Sequence, residues 1–219
     1  NLLLASLDIS RRNLALRGEE SFAKVMDMAE YARREINEIG GYYAYGKELV
    51  NGTSVYDYDV TKLSVHTLGL GLAGIEVYDL LRDEYDIQIE FGDVSNILAY
   101  ISIGDRLQDI ERLVGALADI ARIYKKDSTG MLSGEFISPI VARSPQEAFY
   151  SAKESLPVEK TEGRISGEFV MCYPPGIPIL APGEMITDEI IQYILYVKEK
   201  GCSMQGTEDK SVNKLKVLV

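Results

Sequence analysis

Leu14, Val25, Met26, Ala29, Ile36 and Ile39 recur near helical spacing, which predicts a mostly helical segment over residues 6–39, with Gly18 as a break and Gly40-Gly41 as the stop. A helix of that length suits a bridge between two lobes. The period then shortens: residues 62–68 predict a strand, 75–85 a helix, 87–91 a second strand and 94–103 a third. Only Gly92-Asp93 separates the last two strands, which leaves room for a hairpin and none for a helical crossover. Leu107, Ile110, Leu113, Val114, Leu117, Ile120 and Ala121 make one apolar stripe, with Asp105 as N-cap and Gln108 completing a capping-box pattern. Residues 126–144, with Ser128, Thr129, Gly130, Ser133 and Gly134, read as a polar linker between two units. The second unit is expected to start with a short helix at Pro145, followed by a strand over 165–173, a helix over 187–200 and a last strand over 214–219. There is no internal repeat and no low-complexity tract.

Pro174, Pro175, Pro178 and Pro182 interrupt that second unit. Proline fixes φ and lacks an N–H donor, so residues 174–182 predict a stiff, apolar, irregular loop rather than a helix interior or a central strand. Such a loop is expected to be covered, and its rigidity would hold Tyr173 against another surface, which makes Tyr173 a site candidate. The plainer alternative is a core loop whose tyrosine only packs.

Composition narrows the function classes. The 219 residues, 46% of them hydrophobic, can bury a sizeable core in one large or two small domains. An excess of 34 acidic over 23 basic residues gives −11, which argues against a nucleic-acid partner and favours a cationic small molecule. Cys172 and Cys202 have no CxxC spacing, so neither a zinc site nor a disulfide framework is indicated, in keeping with a reducing compartment. No apolar run reaches the roughly 18 residues of a membrane span, and the start lacks a signal-peptide pattern, so a soluble cytoplasmic protein is expected. Asn1 opens directly into Leu2-Leu3-Leu4-Ala5, which reads as a piece of a longer chain.

Gly69-Leu70-Gly71-Leu72-Ala73-Gly74 matches the dinucleotide fingerprint between a predicted strand and helix, with Glu90 about twenty residues later where a ribose-binding acid belongs. A Rossmann-like module using Gly69, Gly71, Gly74 and Glu90 is therefore one alternative function. Against it stands the expected hairpin after Glu90, since a Rossmann sheet continues through a crossover to a parallel strand. The bland reading gives the glycines a tight turn and close helix packing. His66, alternating with Lys62, Ser64 and Leu68, reads as a half-exposed strand residue. Pro175-Gly176-Ile177-Pro178 is formally PxxP but too apolar for a solvated proline-rich ligand.

Three ordered runs carry a family resemblance: Gly163-Arg164-Ile165, Tyr173-Pro174-Pro175-Gly176-Ile177-Pro178 and Pro182-Gly183-Glu184. It continues through Leu4-Ala5-Ser6-Leu7-Asp8, Asp59-Val60-Thr61-Lys62-Leu63 and Ser144-Pro145-Gln146-Glu147-Ala148-Phe149. Together they make the chain resemble the C-terminal half of the bacterial pyridoxal-phosphate decarboxylases acting on arginine, lysine and ornithine. The resemblance implies an α/β plus α+β fold: a bridging helix and small βαββα lobe of a fold-type-I enzyme over residues 1–140, then an α+β C-terminal domain over 141–219. It implies a lyase of polyamine biosynthesis that converts a basic amino acid to its amine and CO₂. Glu90 would bind the distal cationic group of the substrate and Tyr173 would line the same pocket; a carboxylate suits an ammonium or guanidinium, and a ring suits the aliphatic stem. Asp59 and Lys62 would be structural at a strand start, as a salt link. Cys172 departs from the family's frequent proline. No residue of this chain would be catalytic, cofactor-binding or metal-binding. The family's Schiff-base lysine follows a histidine, whereas His66 is followed by Thr67, so pyridoxal phosphate would be held by the absent N-terminal half. The expected partners are that half, the substrate and further copies in a homodimer or larger homo-oligomer, with no nucleic acid and no membrane. A non-catalytic assembly domain is the remaining alternative.

Overall fold

The computed structural model describes residues 1–128 and 137–219, so the middle of the expected 126–144 linker lies outside the described residues. The chain forms two compact units. The first comprises Asn1–Leu72, Val77–Glu90 and Asn96–Ser128; the second comprises Ala73–Glu76, Phe91–Ser95 and Thr129–Val219.

In the first unit, α1 (Leu2–Ile39) runs 38 residues without interruption. The expected break at Gly18 is absent, because an interior glycine costs only about 1 kcal/mol, too little to end a long helix by itself. Gly40, at φ 79°, does end it. Val25, Ala29, Ala32, Arg33 and Ile36 form its buried stripe, while Leu2, Leu3, Leu4 and Leu7 are exposed. The chain continues through β1 (Tyr43–Ala44), β2 (Lys62–His66), α2 (Gly74–Asp83), β3 (Phe91–Gly92), β4 (Asn96–Tyr100) and α3 (Leu107–Ile123), of which β3 and the first residues of α2 belong to the second unit. β2 lies between β1 and β4 and pairs antiparallel with both. Register puts Leu63 opposite Ala99 and Val65 opposite Ile97, so these four side chains share one buried face. α1 and α3 complete that core with Ala29, Ile36, Leu113, Leu117 and Ile120, and Tyr42 ties their ends by donating its hydroxyl to the Leu117 carbonyl at 3.1 Å.

Several expected boundaries shift. The strand expected over 87–91 shrinks to Phe91–Gly92, with residues 86–89 irregular and Asp86 at φ 55°. The third strand is Asn96–Tyr100, so the reversal takes three residues rather than two. In that turn the Asp93 carboxylate accepts the Ser95 N–H at 2.8 Å. The hairpin reading holds, since the Glu90 N–H donates to the Leu98 carbonyl at 3.0 Å. Arg106 rather than Asp105 caps α3: the Asp109 carboxylate accepts the Arg106 N–H at 3.0 Å, and the Asp105 carboxylate is taken by the Ser102 N–H at 2.6 Å.

Residues 45–61 have almost no ladder hydrogen bonds, and the buried Arg33 organises them. Its guanidinium donates to the Tyr45 carbonyl, to the Val60 carbonyl at 3.0 Å and to Glu30 at 2.9 Å. It also lies 5.5 Å from the Tyr58 ring centre.

The second unit begins with α4 (Pro145–Tyr150), as its sequence predicts. Pro145 occupies the first turn, the Ser144 hydroxyl accepts the Glu147 N–H at 3.2 Å, and the Glu147 carboxylate accepts the Ser144 N–H at 2.9 Å. There follow β5 (Lys153–Pro157), β6 (Val170–Tyr173), β7 (Ile177–Leu180), α5 (Asp188–Glu199), β8 (Ser203–Gln205) and β9 (Lys214–Leu218). β5 pairs with β9, and β6 lies between β7 and β8, all antiparallel. The helix expected over 187–200 and the strand over 214–219 match α5 and β9. Ile190, Ile191 and Ile194 of α5 meet Leu215, Val217, Val170 and Leu180 in the core.

Two expectations are corrected here. The strand expected over 165–173 is reduced to β6, with Ile165 and Ser166 forming only isolated bridges to Met185 and Val217. The loop expected over 174–182 contains β7, because Pro178 sits on an edge strand, where its missing N–H leaves no ladder bond unmade.

Candidate functional site

Tyr173 closes β6, opposite Ser203 of β8. The turn beyond it is drawn tight by the Gly176 N–H donating to the Cys172 carbonyl at 2.9 Å. Gly176 has φ 93°, and a Cβ there would come 2.9 Å from the Tyr173 ring, so glycine lets the turn fold against the aromatic face. The loop is not covered within this chain, contrary to expectation: Tyr173 is 51% and Ile177 68% exposed. An edge strand with proline in it has no further strand to shield its apolar side chains. The stiffness that the prolines predict is present, and it holds Tyr173 outward.

Glu90 lies in a bend before β3, in the first unit, rather than at the end of a strand. Its N–H is held by Leu98, and its neighbour Ile89 is buried, which anchors the backbone while the carboxylate points to solvent. That carboxylate has no hydrogen bond or ion pair among the described residues. A fixed backbone carrying an uncommitted acid can bind a cation. Tyr173 belongs to the second unit.

The glycine turn is filled by its own chain, and this overturns the dinucleotide reading. A Cβ on Gly69 would lie 2.6 Å from the Gly41 carbonyl oxygen, and one on Gly71 would lie 2.6 Å from that of Lys126. The Leu70 carbonyl accepts the Lys126 N–H at 2.8 Å. Carbonyl oxygens crowd the place where a phosphate would need donors. At the start of α2 the Ala73 N–H is already taken by the Glu76 carboxylate at 2.8 Å, which also repels an anion. Finally, β2 pairs antiparallel on both sides, whereas a Rossmann sheet is parallel there.

A stability prediction follows from Gly71, which has φ 69°. Gly71→Ala should cost at least about 2 kcal/mol, of which about 1–2 kcal/mol is left-handed backbone strain and the remainder displacement of Lys126. Gly52, at φ 72° with open space around it, is the control. Equal shifts in urea midpoint for Gly71→Ala and Gly52→Ala would show that the close approach contributes nothing.

The remaining candidates resolve into packing. The His66 ring nitrogen Nδ1 lies 3.3 Å from the Asn96 amide oxygen across the β2–β4 pair, and the residue is half-buried. The Lys62 ammonium stands 3.4 Å over the Tyr100 ring centre. The salt link expected between Asp59 and Lys62 is replaced: Asp59 accepts the Thr61 hydroxyl at 2.7 Å and its N–H at 3.0 Å, and these bonds hold its carboxyl below the usual range. No cluster of three or more His, Cys, Asp or Glu is placed to hold a metal among the described residues. No described helix is long and apolar enough to cross a membrane. What the sequence reading missed is the proximity of Cys172 and Cys202, whose separation along the chain conceals it.

Comparison with known proteins gives these residues a family. Residues 133–210 match the family described as Orn/Lys/Arg decarboxylase, C-terminal domain. The chain is 39% identical to an arginine decarboxylase of Bacillus subtilis and 40% identical to one of Halalkalibacterium halodurans, in both cases over 99% of this chain and 45% of the relative. It thus spans less than half the length of these curated relatives. Among solved structures, the constitutive lysine decarboxylase of E. coli superposes with a TM-score of 0.68 at 17% identity, over 99% of this chain and 43% of that one. The lysine decarboxylase of Francisella novicida gives 0.64 at 19%, over 93% and 40%. These two likenesses show a shared fold. The mixed α/β architecture, the matched domain and the relatives at about 40% identity together place this chain in the C-terminal part of the Orn/Lys/Arg decarboxylase family.

Proposed function

We propose that this chain is the C-terminal part of a pyridoxal-phosphate-dependent decarboxylase of basic amino acids, and that it contributes substrate recognition. The observation that carries this reading is the identity of 39–40% along essentially the whole chain to two arginine decarboxylases. Arginine is accordingly the first substrate to test, ahead of lysine and ornithine. In this reading residues 1–140 are the bridging helix and small lobe of a fold-type-I enzyme, and 141–219 are its C-terminal domain. The exposed Leu2, Leu3, Leu4 and Leu7 of α1 support a surface covered by the rest of the enzyme. The enzyme acts in the cytoplasm, in polyamine biosynthesis, as a homodimer or larger homo-oligomer.

Glu90 pairs with the distal ammonium or guanidinium of the substrate, and Tyr173 provides an aromatic wall for its aliphatic stem. A net charge of −11 favours approach of such a cation. Pyridoxal phosphate, bound in the whole enzyme, supplies the electron sink for loss of CO₂. The residues of this chain do not fit the task of anchoring it: its one histidine, His66, precedes Thr67, the Lys62 ammonium is engaged over Tyr100, and the glycine turn is closed by carbonyls.

The test contrasts two proteins. The full-length enzyme should decarboxylate arginine and take up one stoichiometric borohydride-reducible pyridoxal label at a lysine outside this chain. The 219-residue chain alone should do neither. Turnover by the isolated chain with a single labelled lysine, or a full-length protein inert toward all three amino acids, would sink the proposal.

A further inference from the structure

Cys172 and Cys202 are reduced thiols, each buried to 7% exposure, in one apolar cluster of the second unit with Val94 and Val197. Cys172 sits on the central strand β6 opposite Met204, and Cys202 precedes β8 two residues before Met204, so both side chains lie on one face. The Cys202 N–H donates to the Val197 carbonyl at 3.1 Å, which pins that residue to the end of α5. The two sulfurs are in hydrogen-bonding contact.

We propose that Cys172 and Cys202 form a reversible, peroxide-driven disulfide that locks β6 to the end of α5 directly behind Tyr173. The Cys202 thiol, donating to the Cys172 sulfur, holds the Cys172 thiol below the ordinary cysteine range, against burial and the Asp93 carboxylate, which push it up. Cys172, on β6 beside the exposed Tyr173, is the attacking residue. Its thiolate attacks one oxygen of hydrogen peroxide, the O–O bond breaks, and hydroxide leaves and is protonated to water, giving a sulfenic acid at Cys172. Cys202 then gives up its proton and attacks the Cys172 sulfur, forming the S–S bond and expelling hydroxide, which takes that proton as a second water. Two thiols and one peroxide become one disulfide and two waters. A thiol reductant reverses the step by exchange at the disulfide.

The test is thiol mapping of the full-length protein after hydrogen peroxide, with exposed Met26 as a dose gauge through its sulfoxide. At a dose that oxidises Met26, both thiols should be lost together and a linked Cys172–Cys202 peptide should appear, two hydrogens lighter than its parts and fully restored by dithiothreitol. Cys202→Ser should instead leave a sulfenic acid on Cys172 that dimedone traps. Two alkylatable thiols at that dose, or a dimedone adduct on wild-type Cys172 without the linked peptide, would overturn the proposal. The wild-type mapping decides the matter even if the serine variant does not fold, and it reads no decarboxylase activity, so the two proposals fail separately.

Discussion

Glu90→Gln in the full-length enzyme is expected to lower kcat/KM for arginine by about tenfold to more than a hundredfold. The substitution keeps the shape and removes the charge, so the lost quantity is one charge-assisted contact, about 1.5–3 kcal/mol in transition-state binding. The side chain is exposed and has no partner among the described residues, so no internal ion pair is broken and folding should be unaffected. Pyridoxal absorbance should be unchanged. The loss should be greatest for substrates with a distal positive charge and small for a neutral analogue of the same length. Tyr173→Phe should cost less, because the aromatic wall remains and only a hydroxyl goes. Unchanged kcat/KM for arginine, lysine and ornithine in Glu90→Gln would remove Glu90 from the substrate site while leaving the family assignment intact.

Arg33→Met should destabilise the first unit by about 2–4 kcal/mol. The methionine fills most of the volume but leaves the Tyr45 and Val60 carbonyls without their donors in an environment where Arg33 is only 5% exposed. Glu30, the third partner, is 57% exposed at its side chain, so Glu30→Gln should cost less than about 1 kcal/mol. That contrast isolates the carbonyl contacts from the ion pair. It is read as urea midpoints, together with hydrogen exchange along the buried stripe of α1 from Val25 to Ile36. Equal, small shifts for both variants would mean that residues 45–61 are held in place without Arg33.

How much was legible depended on where the cause of each feature lies along the chain. The stripes of α3 and α5 and the alternation of β9 were visible because a helix or strand face repeats within a few residues. Ser144, Pro145 and Glu147 announced the start of α4 for the same reason, since all the groups that satisfy its first turn are adjacent. The reversal after Glu90 was legible from the shortness of its connection, although its strands proved shorter than their apolar runs. The cap of α3 was misjudged because Asp105 and Asp109 are equally local acceptors, and the choice between them depends on whether the Ser102 amide needs a partner.

Tyr173 and Glu90 were found by different routes, one from the stiffness that prolines impose and the other from family resemblance. Neither residue's exposure followed from pattern. The proline loop looked apolar enough to be covered, yet Pro178 joined an edge strand and Tyr173 and Ile177 faced outward. Whether a side chain is buried is a property of what arrives beside it.

By itself the sequence determined the helices and strands with strong local period, the proline-stiffened turn after Tyr173, and the family to which the chain belongs. Tertiary structure alone decided that Gly69 and Gly71 meet the Gly41 and Lys126 carbonyls instead of a phosphate, that Arg33 serves Tyr45 and Val60, and that Cys172 and Cys202 touch. The physical reason is range. A hydrogen-bond ladder or an apolar stripe is written in neighbouring residues, whereas a contact between distant segments exists only after loop closure and core packing have chosen which surfaces meet.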